Sequence, residues 1–179
     1  MEKKESHKSL LNGEFIPVNV LKEGIIPDQP GIYCIKLKDD VTLPYPFDSI
    51  RKDRIIYIGI SESSLKKRLW DQELNHKSPA TFFRSIGAIL GFRPPKGSLR
   101  NKKNKRNYKF SLEDTKKIIT WMHNSLLVNW ETLPEEELKS VEERLIWNLC
   151  PLINISKNPN KSIELEKLRK ECVEIANSI

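Results

Sequence analysis

The sequence predicts a mixed α/β fold, and three observations predict it. Two apolar runs of strand type, Gly31–Leu37 and residues 55–60, lie in the first third of the chain. A third run, 125–130, has the same aliphatic and aromatic content. Five other stretches carry helix signals: a capping residue, an apolar helical period, or acids in the first turn. The length, 179 residues, suits one domain with a sizeable core and an appended element.

Residues 1–9 are polar and read as frayed. Phe15-Ile16-Pro17-Val18 and Ile25-Ile26-Pro27 are broken by prolines, so they read as extended segments wrapping the sheet. Side chains alternate along the first strand, which puts Tyr33, Ile35 and Leu37 on one face. Tyr57 and Gly59 share a face of the second strand. If those faces align, two phenols look at a patch that Gly59 leaves open. Phenols are not needed to fill a core, and a buried hydroxyl wants a partner.

Residues 39–53 join the two strands and carry Pro44, Pro46 and the charged run Arg51-Lys52-Asp53 up to Arg54. The connection is too long for a tight hairpin turn. It reads as a solvated decoration, with a substrate-contacting loop as the alternative. Ser61 can cap a helix over 62–75. Helical spacing gathers Leu65, Leu69, Gln72 and His76 on one side, with Arg68 at its border; Lys66 and Lys67 point to solvent. Ser78-Pro79 opens a helix that ends near Gly91.

Residues 91–109 hold Arg93, Lys96, Arg100, Lys102, Lys103, Lys105, Arg106 and Lys109 and no acid. Such a tract can follow a phosphate backbone, and a soluble loop without a specific partner is the competing reading. Tyr108-Lys109-Phe110 reads as a short strand. Ser111 to Asp114 opens a helix running to about residue 124, with Glu113 and Asp114 favoured by the helix dipole. Thr132-Leu133-Pro134-Glu135 has the form of a capping box for a helix to residue 149. Its apolar stripe is Leu138, Val141, Leu145 and Leu149. Glu142 lies inside that stripe, between Leu138 and Ile146, and Glu143 lies outside it. A carboxylate on a packed side costs free energy unless a cation pairs with it, a metal or an arginine. On helix geometry alone, a rim glutamate satisfied by water or a lysine explains Glu142 as well. Residues 151–155 are extended, and Asn158-Pro159-Asn160 marks a boundary. The last helix, 162–179, carries a seam of Leu165, Leu168, Cys172, Ile175 and Ile179. It is expected to pack on its own domain, with a dimer contact as the alternative.

The formal net charge of +7 favours an acidic partner, nucleic acid ahead of a membrane surface. Cys34, Cys150 and Cys172 are far apart and lack CxxC spacing, so they read as reduced thiols. No run is long enough to span a bilayer, and residues 1–11 lack an apolar signal core. A cytoplasmic location is therefore expected. There is no repeat period, phosphate-binding loop, dinucleotide fingerprint or HExxH motif.

Gly31-Ile32-Tyr33 and Tyr57-Ile58-Gly59 are followed by Leu65-Lys66-Lys67-Arg68-Leu69, then Glu142-Glu143-Arg144-Leu145-Ile146 and Pro151-Leu152-Ile153-Asn154. In that order these segments resemble the GIY-YIG nuclease family. The last two, from Glu142 to Asn154, are especially similar to excision-repair nuclease subunits, and the catalytic domain also resembles that of homing endonucleases. The resemblance covers about residues 30–155, and the middle, 78–130, diverges. The 39–53 connection is longer than the family's usual one.

The resemblance implies a small antiparallel three-stranded sheet flanked by helices, and metal-dependent hydrolysis of DNA, with RNA left open. Three segments follow: an N-terminal extended segment over 1–29, a nuclease domain over 30–157 and a C-terminal helix over 158–179. Glu142 would hold Mg²⁺ or Mn²⁺, an ion that keeps most of its waters and takes remaining ligands from substrate. Arg68 would clamp the scissile phosphate. Tyr33 would be the general base, which at an ordinary pKa of about 10 needs positive charge nearby. Tyr57 would position water or phosphate, and Asn154 would orient the phosphate or brace Glu142. His76 is an extra proton-carrier candidate, although a lone histidine at a helix end is more often structural. Lys66, Lys102, Lys103, Lys105 and Arg106 are the candidate nucleic-acid contacts. Two other function classes stay open: a binding module on the same fold that does not cut, and an interaction protein that assembles as a weak homodimer or with an accessory protein.

Overall fold

The computed structural model describes residues 7–49 and 54–179. A short helix α1 (Lys8–Asn12) leads to strand β1 (Ile16–Pro17) and two 3₁₀ turns. Then come β2 (Gly31–Leu37), β3 (Ile55–Ser61), a π-helix (Lys66–Leu74) and α2 (Thr81–Ile89). The chain ends with α3 (Leu112–Ser125), β4 (Leu126–Thr132), α4 (Glu135–Leu149) and α5 (Ile163–Asn177). The strands pair antiparallel in the order β1-β4-β2-β3. The mixed α/β architecture is the expected one, with four strands rather than three. The extra strand is Ile16-Pro17 on β4, read from sequence as irregular. Pro17 fits there because an edge strand can leave its outward side without a donor.

Alternation along β2 divides the core into two layers. Tyr33, Ile35 and Leu37 face a layer built with the π-helix, α2, α3 and α5. Ile32 and Cys34 face a second layer built with α1 and α4. Because both faces are covered, β2 reads as a continuous apolar run rather than an alternating one. The outer edge of β3 is covered too. Ile153 N–H donates to Ile56 O at 2.9 Å, and the Asn154 side chain continues the same pairing at Ile58. Residues 151–154 thus bring the end of α4 around to β3 and blunt an otherwise open edge.

Several local expectations change. The helix after Ser61 begins four residues later than expected. Ser61 Oγ accepts from Ser64 N–H, and Ser64 Oγ in turn accepts from Lys67 N–H, so the cap moves downstream. Thr132 ends β4 and does not cap α4, whose N-cap is Pro134 with no side-chain bond. Tyr108 and Phe110 do not pair as a strand. Phe110 packs against Phe83 and lies over Gly87, where a Cβ would meet its ring at 2.4 Å. The 39–53 connection is more than a solvated decoration: Leu43 and Phe47 are buried in the core. Arg51, Lys52 and Asp53 lie outside the described residues.

α5 packs on its own chain, with Leu165, Cys172 and Ala176 fully buried. It also anchors the basic loop. Gly97 N–H donates to Ile175 O at 3.1 Å, Leu99 N–H to Ala176 O at 2.7 Å, and Asn177 Nδ2 to Lys105 O at 2.9 Å. Among the described residues no helix is long and apolar enough to cross a membrane.

Candidate functional site

The site forms where the β2–β3 pair meets the π-helix. Tyr33 lies directly across from Gly59. A Cβ on Gly59 would stand 2.4 Å from Tyr33 Oη, so the missing side chain is the space the phenol occupies. Tyr33 is fully buried and donates its hydroxyl proton to Glu73 Oε1 at 3.1 Å. Tyr57, partly exposed, tilts toward it at 6.2 Å between ring centroids and rests on Phe82 at 5.0 Å.

Arg68 completes the cluster. Nη1 donates to Gln72 Oε1 and Nη2 pairs with Glu73 Oε1, each at 2.8 Å. A π-helix bonds residue i to i+5, as Asn75 N–H does to Trp70 O at 3.1 Å. That winding brings Arg68 and Glu73 together. In an α-helix residues five apart sit about 140° around the axis from each other.

Burial pushes the Tyr33 phenol well above its ordinary pKa, and Glu73 and Tyr57 add to the rise against the pull of Arg68. Tyr57 is raised by burial and by Glu73, while Arg68 lowers it and Glu142 raises it. Burial opposes the Arg68 charge, but Tyr33, Glu73 and Tyr57 more than offset it. Burial also raises Glu73, against the stabilising charge of Arg68.

Glu142 reaches the same field from α4, close enough to act on Tyr57 and Arg68. Its side chain is 17 % exposed, and burial raises its pKa. Lys157 stands 3.4 Å from Glu142 Oε2 and closer, 2.9 Å, to Glu143. Of the two outcomes foreseen for this glutamate, the one present is the rim carboxylate with a lysine beside it. Among the described residues there is no group of three or more His, Cys, Asp or Glu able to hold a metal. A half-buried carboxylate with one loose cationic neighbour suits a hard ion that keeps its waters and needs few protein ligands. Asn154 stands beside the site rather than in it. Its Oδ1 accepts from Ile58 N–H at 2.9 Å and its Nδ2 donates to Ile58 O at 2.8 Å. Both ends of the amide are thus spent on the strand between Tyr57 and Gly59.

The remaining candidates separate. His76 stacks on Phe83 at 3.8 Å, and burial, with Lys109 and Arg84, pushes its pKa down to about 4. Lys66 pairs with Glu23 at 3.1 Å. Lys105 Nζ folds back on the carbonyls of Leu99 and Arg100. Lys102 and Lys103 line one hollow with Lys109. Arg106 lines another, with Arg84, Tyr108, Arg169 and Lys170 around it and no acid in the lining. Arg84 Nη1 is buried without a hydrogen-bond partner among the described residues, and its guanidinium lies 5.8 Å from the Tyr108 ring centre.

Glu73, Arg84, Arg169 and Lys170 are the residues sequence reading missed. Arg169 follows Leu165 by four residues and so borders the apolar seam of α5, the same signal that singled out Glu142. Glu73 follows Leu69 by four residues and carried the same signal, but its pairing with Arg68 depends on the π winding.

No curated protein and no solved structure matches the chain. A family model described as the GIY-YIG catalytic domain matches residues 31–171, a span that holds both tyrosines, Arg68, Glu142, Asn154 and more than half of α5. The chain therefore belongs to the GIY-YIG family.

Proposed function

We propose that this protein is a metal-dependent endonuclease that hydrolyses phosphodiester bonds in DNA. The observation that carries the reading is the cluster of Arg68 and two phenols at the β2–β3 pair, with the Glu142 carboxylate near enough for its charge to be felt by Tyr57 and Arg68. Hydrolysis needs a held phosphate, an aligned water and relief of charge on the departing oxygen. Arg68, 31 % exposed, offers the phosphate a planar fork of donors. Tyr57 is the partly exposed phenol, so the water-facing part falls to it more readily than to the fully buried Tyr33. Tyr33, fully buried and donating to Glu73, braces the cluster. Glu142 would hold the Mg²⁺ or Mn²⁺, which when bound supplies Lewis-acid stabilisation of the leaving oxygen. Asn154 holds β3 in register for Tyr57. Arg84, Arg106, Arg169 and Lys170 form a cationic hollow suited to backbone phosphates on either side of the cut.

The test is a cleavage screen over single-stranded, duplex and branched DNA and RNA with Mg²⁺ or Mn²⁺. Glu142→Ala should lower the rate about 10³-fold, since the ion's charge is worth several kcal/mol in the transition state. Folding should change by less than about 1 kcal/mol, because only a long lysine contact is lost. Binding without cleavage on every substrate would instead support a module that recognises nucleic acid and does not cut.

A further inference from the structure

Glu73 is the feature of the site that packing does not explain. It is a carboxylate at 0 % exposure, and removing such a group from water costs several kcal/mol unless donors surround it. Only one oxygen is served. Oε1 takes both the Tyr33 hydroxyl and Arg68 Nη2, while Oε2 is buried with no partner among the described residues. A group placed to complete a core network would use both. Meanwhile Gln72, its chain neighbour, holds the other terminal nitrogen of the same guanidinium. Two successive residues of the π-helix therefore grip Arg68 at both ends of its fork, leaving its remaining N–H groups on a partly exposed side chain. The unusual winding is what makes that grip possible.

We propose that Glu73 is a positioning residue for phosphodiester cleavage: its buried carboxylate fixes the plane of the Arg68 guanidinium and locks Tyr33 beneath it, so that the N–H groups of Arg68 not engaged by Glu73 and Gln72 meet the scissile phosphate. This rests on the nuclease reading and deepens it. Glu73 touches neither substrate nor water; it acts through Arg68. Displacing a clamp by about 1 Å costs on the order of 10²-fold in rate.

The experiment measures single-turnover cleavage, with Mn²⁺, of whichever substrate the wild type cuts, for Glu73→Gln, Glu73→Ala, Arg68→Ala and the Arg68→Ala/Glu73→Ala double variant. Glu73→Ala should lose about 10²-fold in rate while metal-free DNA affinity stays within about threefold, and Glu73→Gln should lose less. The double variant should be no slower than Arg68→Ala alone, because the glutamate has nothing left to aim. Rate losses that multiply in the double variant, or Glu73→Ala within about threefold of wild type, overturn the proposal. If Glu73→Ala fails to fold by circular dichroism, the isosteric Glu73→Gln carries the comparison. A wild type that cuts no substrate overturns the nuclease reading instead, a result distinct from an active wild type with an indifferent Glu73.

Discussion

Gly59→Ala is the sharpest test of how the sheet builds the site. The added Cβ would stand 2.4 Å from Tyr33 Oη, 2.5 Å from Cζ and 3.0 Å from Cε2. Ordinary contact begins at 3.4 Å, so the hydroxyl must retreat by about 1 Å. It cannot retreat freely, since Tyr33 is fully buried. Its bond to Glu73 is already 3.1 Å long, and a shift of that size breaks it. Overpacking costs about 1–3 kcal/mol. Stranding a buried hydroxyl and carboxylate adds about 1–3 kcal/mol. The gain from replacing glycine by alanine in a strand returns about 0.5–1 kcal/mol. The expected net loss is about 1–5 kcal/mol, which for a chain of this length lowers Tm by roughly 2–20 °C. Urea denaturation gives the free energy directly, and cleavage should fall about 10²-fold as Arg68 loses its partner's support. A Gly59→Ala protein within about 0.5 kcal/mol of wild type and equally active would refute the argument that Gly59 exists to admit the phenol.

Two further outcomes follow from the same geometry. Asn154→Ala removes both bonds to Ile58 and leaves a buried N–H and C=O unpaired, so it should cost about 2–4 kcal/mol in urea denaturation. A loss of activity without a loss of stability would show that Asn154 meets the substrate rather than the strand. The double charge reversal Arg106→Glu/Arg169→Glu should weaken DNA binding across all sequences and reduce the dependence of log K on log salt by about 2. An unchanged salt slope would remove the cationic hollow from the substrate's path.

How far the chain could be read depends on which interactions are local. Strand alternation is dictated by backbone geometry, so the faces carrying Tyr33 and Tyr57 could be read directly, while the register that puts Tyr33 opposite Gly59 was set by the folded sheet. The side of α4 that carries Glu142 was equally readable, because an ordinary α-helix repeats predictably. The π-helix broke that rule. An α-helical wheel centred the packed side on Gln72 and His76 and left Glu73 at its border, whereas with i to i+5 bonds Glu73 is buried against Arg68, and His76, beyond the helix end, stacks on Phe83. The strand made by Ile16-Pro17 was equally hidden, since two residues carry no period and gain a ladder only when β4 lies beside them.

By itself, then, the sequence determined the strand and helix faces and the order in which tyrosine, arginine, glutamate and asparagine enter the fold. Tertiary structure alone decided that Asn154 serves the edge of β3, that Tyr33 is sealed while Tyr57 stays partly exposed, and that a buried glutamate holds the arginine. The physical reason is that hydrogen-bond partners and desolvation depend on groups distant in the chain. Ile58 and Asn154 are 96 residues apart, and Tyr33 and Glu73 are 40 apart, so no local pattern records either pairing.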